Sequence, residues 1–454
     1  MANNNRTSLH GLWTSRWAFI MAATGSAVGL GNIWKFPYIA GENGGGAFVL
    51  IYLVCIFLIG VPIMMAEVML GRRGRRNPVD SMKHLAEETG HSPLWKFLGW
   101  IGVTAGFLIL SYYSVIAGWA ISYVFTTASG AFTGANAALV GNHFDELTQS
   151  PFTLIFWHSI FMLITMLVVA RGIEGGIEKA VRFLIPSLFV LIIVMVFYAM
   201  TTSGFAEGVR FMFSSDFSKI STEGVLKAMG QAFFTLSIGM GAIMVYGAYL
   251  PKDISIAKAS FSIAIADTAV AVLAGVAIFP IVFANGLEAG SGPGLIFVTL
   301  PLAFGNMAFG AFFGTLFFIL LVFAAWSSSI SLIEPAVAWV IENKGVSRVK
   351  ASIALGFFTW FIGLGTVFSF NEWSNSTLFG KTFFDLLDYL TSNIMLPLGG
   401  VLMAIFAGWL MKKSASHDEL AVSKRAYTLW RFLVRYVTPV AVLLVFLNAV
   451  GVFS

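Results

Sequence analysis

The chain reads as long apolar blocks separated by short polar ones. Eleven blocks reach the 18 or more residues that cross about 30 Å of hydrocarbon as a helix, near 15–38, 46–71, 96–127, 153–170, 177–201, 225–250, 256–285, 307–341, 349–370, 383–411 and 428–452. The pattern predicts an all-α integral membrane fold of eleven transmembrane helices. No polar stretch between the blocks exceeds roughly 25 residues, so the functional residues are expected within the membrane.

Two blocks are interrupted. The first contains Gly25-Ser26-Ala27-Val28-Gly29-Leu30-Gly31-Asn32, where three glycines and an amide disfavour continuous helix. The sixth contains Phe233-Phe234-Thr235-Leu236-Ser237-Ile238-Gly239-Met240-Gly241. In hydrocarbon each N–H or C=O released from the helix ladder costs several kcal/mol, so a break persists only where protein, ions or ligand satisfy those groups. The breaks lie five spans apart, and an odd number of crossings reverses direction. The expected architecture is an inverted five-plus-five repeat with broken helices 1 and 6, over about 12–205 and 222–411, with an extra span at about 428–452. Together these form a single transmembrane transporter domain, residues 1–454, with its site at the bilayer midplane.

Composition agrees, with 58% hydrophobic and only 11% charged residues against about a quarter charged in soluble domains. A net charge of +5 could suggest nucleic acid, but the cations are confined to alternate loops. Arg72, Arg73, Arg75 and Arg76 follow span two; Arg171, Lys179 and Arg182 border the loop after span four. Lys344, Arg348 and Lys350 follow span eight, while Lys412, Lys413, Lys424, Arg425 and Arg431 precede span eleven. The opposite loops, 128–151 and 285–307, contain no Lys or Arg. By the positive-inside rule the basic loops face the cytoplasm, and no nucleic-acid partner is expected. The chain is expected in the inner (plasma) membrane as a multi-pass protein, N-terminus cytoplasmic and C-terminus outside, with no cleavable signal peptide. The single Cys55 excludes an intramolecular disulfide and reads as packing.

An ordered set of motifs spans almost the whole chain: Gly29-Leu30-Gly31-Asn32-Ile33-Trp34-Lys35-Phe36-Pro37-Tyr38, then Glu42-Asn43-Gly44-Gly45-Gly46-Ala47-Phe48, Gly71-Arg72 and Gln231 to Gly241. Ala324-Ala325-Trp326-Ser327-Ser328-Ser329 and Arg435-Tyr436-Val437-Thr438-Pro439 complete it. The set resembles the neurotransmitter:sodium symporter family, in its bacterial eleven-span amino-acid transporter branch. What the resemblance implies is sodium-coupled import of an amino acid by alternating access, with spans 1, 2, 6 and 7 rocking and no covalent chemistry.

The resemblance implies two sodium ions. The first would be held by the Ala27 carbonyl, the Asn32 side chain, the Thr235 carbonyl and hydroxyl and the Asp267 side chain, completed by the substrate carboxylate. The second would use the Gly25, Val28 and Ala324 carbonyls with the Ser327 and Ser328 hydroxyls. Ser327 stands where the family often has threonine, and read alone Ser327 to Ser329 are small residues easing helix packing. Asp267 is a mid-membrane carboxylate, expensive unless paired or coordinating. It matches a position commonly Asn or Ser in a family whose chloride-dependent members bind an anion beside the first sodium. Some bacterial relatives place a glutamate one turn later, which here is Ala271. With Tyr52, Gln231 and Thr235 retained nearby, Asp267 would supply the negative charge itself, and no chloride is expected. The other reading is a structural Asp hydrogen-bonded to helix ends.

Gly29 matches an aspartate of the family's amine transporters, so the substrate is expected to bring its own carboxylate. Leu30 and Gly31 N–H groups and the Tyr113 hydroxyl would receive it, and the Ala27, Phe234 and Thr235 carbonyls with the Ser237 hydroxyl would receive an ammonium. Ile109, Phe234, Met240 and Leu332, with Ser329 and Ser331 nearby, would face the side chain. These walls are apolar, and apolar pockets discriminate by only about 1–3 kcal/mol per methylene. Neutral, hydrophobic, aliphatic and aromatic L-amino acids are expected; the alternatives are a narrow carrier of tryptophan, tyrosine or a small zwitterion, or a non-transporting amino-acid sensor. Lys35 and Asp388 match the outer gate, with Lys replacing the usual arginine and its bidentate fork. Trp13, Tyr249 and Glu342 match the inner gate; His10 holds the position of its expected basic partner, Arg6 is the nearest permanent cation, and that pairing stays open. Glu67 and Glu42 are carboxylates in apolar surroundings, Glu67 expected to accept hydrogen bonds from the unwound first span. Gly176 and Pro186 match either a helix end that unwinds or a simple proline kink. An intramembrane hydrolase is disfavoured, because His158 has no recognisable nucleophile elbow beside it.

Overall fold

The structure, a computed structural model, describes residues 7–214, 216–287 and 294–452. Among the described residues it is helical, with one isolated bridge, Leu378 to Lys381. Nine of these helices are long and apolar enough to cross a membrane: Gly46–Gly74, Pro93–Ala128, Pro151–Ala170, Ile173–Met200, Ile256–Ala284, Gly310–Lys344, Arg348–Ser369, Phe383–Leu410 and Lys424–Ala449. The first and sixth blocks are not among them because each is split. Arg16–Ala27 stops, and after Val28 to Leu30 a π turn, Gly31–Lys35, continues into Phe36–Glu42. Thr222–Thr235 likewise stops before Ala242–Ala248 resumes.

Local sequence explains both the starts and the breaks. Ser15 opens the first half-helix by accepting the Ala18 N–H, and Val28 leaves it in an extended conformation. In the sixth segment Ser237, Gly239 and Gly241 have φ of 54°, 85° and 73°. Two of these three are glycines, which enter that region without a Cβ penalty.

Close backbone contact then fixes which elements surround the breaks. A Cβ on Gly71 would lie 1.9 Å from the Met244 carbonyl oxygen, so the second span lies backbone to backbone against Ala242–Ala248. From that span the fully buried Glu67 accepts hydrogen bonds from the N–H groups of Gly239 (3.0 Å) and Met244 (3.3 Å). The expectation that Glu67 supports the first span is therefore corrected: it satisfies the sixth, because small residues bring that segment within reach. Glu42 is also unlike its expectation, being exposed at the end of Phe36–Glu42. The fifth span opens with a π turn, Ile173–Ile177, that includes Gly176, and runs on through Pro186 without a break.

Candidate functional site: a cavity between two broken helices

A cavity of about 510 Å³ lies between the two breaks and the midsections of Pro93–Ala128 and Gly310–Lys344. Ala27, Leu30, Gly31, Ile109, Tyr113, Phe234, Thr235, Ser237, Met240 and Leu332 line it, as does Gly29. The Tyr113 hydroxyl accepts the Leu30 N–H at 3.0 Å, so the tyrosine of a neighbouring helix satisfies a donor released by the break. Ser237 donates to the Ser26 carbonyl at 2.7 Å, tying the two breaks together. Ser329 and Ser331 are the exceptions among the residues expected near the substrate: both are buried but neither lines the cavity. Each residue turns a helix by about 100°, which carries Ser329 off the face shared by Ser328 and Leu332.

Two oxygen clusters adjoin the cavity. In the first, the buried Asn32 amide donates to Thr235 Oγ1 (3.0 Å) and Asp267 Oδ1 (2.7 Å), while its own oxygen accepts the Gly29 N–H (3.0 Å). Thr235 also donates to Asp267 at 3.0 Å. These three side chains come from the first break, the sixth segment and the unbroken Ile256–Ala284 helix. Gln231 instead donates to the Gly31 carbonyl at 3.1 Å. In the second cluster the Ser328 hydroxyl lies 3.2 Å from the Gly25 and 3.1 Å from the Val28 carbonyl oxygen, both released where the first half-helix ends. Ser327 donates to Ala324 at 3.1 Å within its own helix. Among the described residues no group of three or more His, Cys, Asp or Glu could hold a metal. Carbonyls, hydroxyls and a single carboxylate instead suit a hard cation of low charge, so the donor set fits sodium as a transported ion.

The two ends of the cavity differ. Among the described residues Lys35 and Asp388 are the charged side chains that line it, and each has other neighbours. Lys35 Nζ lies 4.8 Å from the centre of the Phe234 ring, and Asp388 accepts from Ser392 at 2.8 Å and Tyr112 at 3.3 Å. The opposite end is sealed. Trp13 is buried, donating through its indole to the Tyr246 carbonyl (2.9 Å) and through its backbone to Tyr249 (3.0 Å). His10 Nε2 meets Glu342 Oε1 at 2.9 Å; Arg6 lies outside the described residues.

Sequence reasoning missed two polar groups on this sealed side. Glu334, fully buried, accepts from Tyr249 (2.9 Å) and forms a two-pronged pair with Arg348, whose Nε donates to the Val169 carbonyl (2.7 Å). A carboxylate inside the eighth apolar block was signal enough to find it. Glu178 receives Arg182 from one turn along its own helix and the Thr14 hydroxyl from 164 residues away, the latter a contact too distant in sequence for any local signal.

This arrangement has counterparts in known proteins. The model of the sodium:neurotransmitter symporter family matches residues 10–137 and 134–454. The chain belongs to that family. Its relatives include an uncharacterized sodium-dependent transporter of Bacillus subtilis, YhdH, 40% identical over 97% of this chain and 98% of the relative. A second, from Haemophilus influenzae, is 36% identical over 99% of both. Among solved structures, MhsT in complex with L-phenylalanine superimposes with a TM-score of 0.89, at 44% identity, over 97% of this chain and 99% of MhsT. As a symporter of this family the protein is a multi-pass, sodium-dependent membrane transporter, not an enzyme.

Proposed function

We propose that this symporter imports neutral, hydrophobic L-amino acids, aliphatic and aromatic, with two sodium ions and without chloride. It would lie in the plasma membrane with its N-terminus in the cytoplasm. The observation that carries the reading is Gly29: at this point of the cavity wall, where an acidic side chain would favour an amine, there is no side chain, and the Tyr113 and Ser328 hydroxyls stand over it. A substrate seated there must bring its own carboxylate to the donors of the first break and to the first sodium. The apolar walls Ile109, Phe234, Met240 and Leu332 suit a hydrophobic side chain, and Met among them adapts its shape. That MhsT is seen with L-phenylalanine supports the aromatic end of the range.

Asp267 supports chloride independence, because a fixed carboxylate beside the first cluster supplies the charge that an anion would. The separately engaged outer charges and the sealed inner side correspond to one end of an alternating-access cycle, in which Lys35 and Asp388 approach when the cavity closes outward. Competition by twenty amino acids against labelled phenylalanine, in proteoliposome uptake with sodium directed inward, tests the substrate class. Inhibition by leucine, isoleucine, valine, methionine and the aromatics is expected. Inhibition by a single amino acid would replace this reading with a narrow carrier, and binding without uptake would replace it with a sensor.

A further inference from the structure

The stretch Arg435-Tyr436-Val437-Thr438-Pro439 takes part in neither the cavity nor the cation clusters. It lies on the last helix, where Leu433–Val437 widens into a π turn. The preceding span ends beside it in another π turn, Phe406–Leu410, and π turns recur at functional sites. The two helices nearly touch, since a Cβ on Gly408 would lie 3.1 Å from Arg435 Cα. Trp409 donates its indole N–H to the Arg435 carbonyl at 3.1 Å, and its ring centre lies 3.8 Å from the Arg435 guanidinium carbon. The Tyr436 ring is 5.6 Å from the same carbon.

The guanidinium is thus held in place by rings, yet its N–H groups meet no acceptor among the described residues, and Nε is buried without a partner. Two other arginines at this end of the molecule have side-chain partners, Arg72 with Glu419 at 2.6 Å and Arg431 through Nη1 with the Tyr427 hydroxyl at 2.8 Å, although Arg431 Nε is, like that of Arg435, buried without a partner. Trp409 and Tyr436 are 48% and 47% exposed, and aromatic residues of this kind gather at the headgroup level of a bilayer. Lys412 and Lys413 stand next to the same helix end, and juxtamembrane basic residues attract anionic lipid. Five guanidinium donors in a rigid fork match a phosphate bidentately, and deeper along the helix Val440, Leu443 and Leu444 are exposed for acyl chains.

We propose that Arg435, clamped by Trp409 and Tyr436, binds the phosphate of an anionic phospholipid at the junction of the last two helices. The test is native mass spectrometry of the full-length protein in detergent, titrated with phosphatidylglycerol or phosphatidylcholine of identical chains. Wild type should bind phosphatidylglycerol at least tenfold more tightly than Arg435→Gln does, and phosphatidylcholine weakly and equally in both. Lys424→Gln, which removes the same charge from an exposed position, should bind like wild type. If Arg435→Gln lowers the thermal midpoint, Arg435→Lys carries the test, since it keeps the charge but loses the fork and should weaken binding several-fold. Equal affinity of wild type and both Arg435 variants would overturn the proposal. So would full displacement by equimolar inorganic phosphate, which would make the ligand a free anion. A dimer fraction that responds to Arg435→Gln but not to lipid would assign the face to a second copy instead, and equally overturn it.

Discussion

Gly29→Ala places one methyl group where the cavity, the first break and the second oxygen cluster meet. Its Cβ would lie 2.7 Å from Ser328 Oγ and 2.8 Å from the Tyr113 hydroxyl oxygen, both inside the separation that real Cβ atoms accept. Either the tyrosine withdraws, leaving the Leu30 N–H without its 3.0 Å partner, or Ser328 withdraws from the Gly25 and Val28 carbonyls. Overpacking of this kind costs about 1–3 kcal/mol, which is about 5- to 150-fold in a dissociation constant. Because one of the two neighbours belongs to the second cluster, the sodium concentration for half-maximal binding should rise together with the amino-acid dissociation constant. The comparison is Gly31→Ala, whose Cβ would meet only the Phe234 ring at 3.9 Å, an ordinary contact; it should lose less than about fivefold. Scintillation-proximity binding of labelled phenylalanine to purified protein, across a sodium series, reads both constants. Equal losses in the two alanine variants, or an unchanged sodium constant in Gly29→Ala, would refute the placement of substrate and second cation around Gly29. Gly29→Asp should go further and abolish amino-acid binding, by setting a carboxylate against the substrate's own in a desolvated site.

Wild-type uptake should be intact when gluconate replaces chloride, whereas Asp267→Asn should be weakened and partly rescued by chloride; wild-type chloride dependence, or a chloride-insensitive active variant, would oppose the role given to Asp267. Neutralising Lys35 or Asp388 should impair transport more than binding, and the double variant should be non-additive, additive losses in uptake meaning that the two never meet. Arg348→Gln leaves the buried Glu334 charge unpaired and should destabilise the protein by about 3–5 kcal/mol, seen as a lower thermal midpoint that Glu334→Gln in the same chain largely restores; no restoration would mean that the pair is not what holds that corner.

Much of this site is visible in the sequence because membrane spans tolerate so few exceptions. Three glycines and Asn32 inside an apolar block mark the first break almost to the residue, and Ser237 to Gly241 mark the second. What does not show is which neighbour each exception meets. Glu67 was as visible as the breaks, but that it serves the sixth segment depends on the approach of Gly71 to Met244, a tertiary contact. Three consecutive serines announce a small, polar helix face without saying that Ser328 faces the released carbonyls while Ser329 does not line the cavity. His10 and Glu342 stand 332 residues apart, and only folding shows that a histidine meets that carboxylate. Glu334 differs from these, since its position in the eighth block called for a partner that reading along the chain could have sought.

The central claim, that the oxygen clusters at the two breaks couple sodium to amino-acid movement, is tested most directly by uptake into proteoliposomes under imposed ion gradients. Labelled phenylalanine should accumulate above its external concentration when sodium is directed inward, and collapse to equilibration when sodium is equal on both sides. Accumulation of the same size in potassium with only a proton gradient would contradict it.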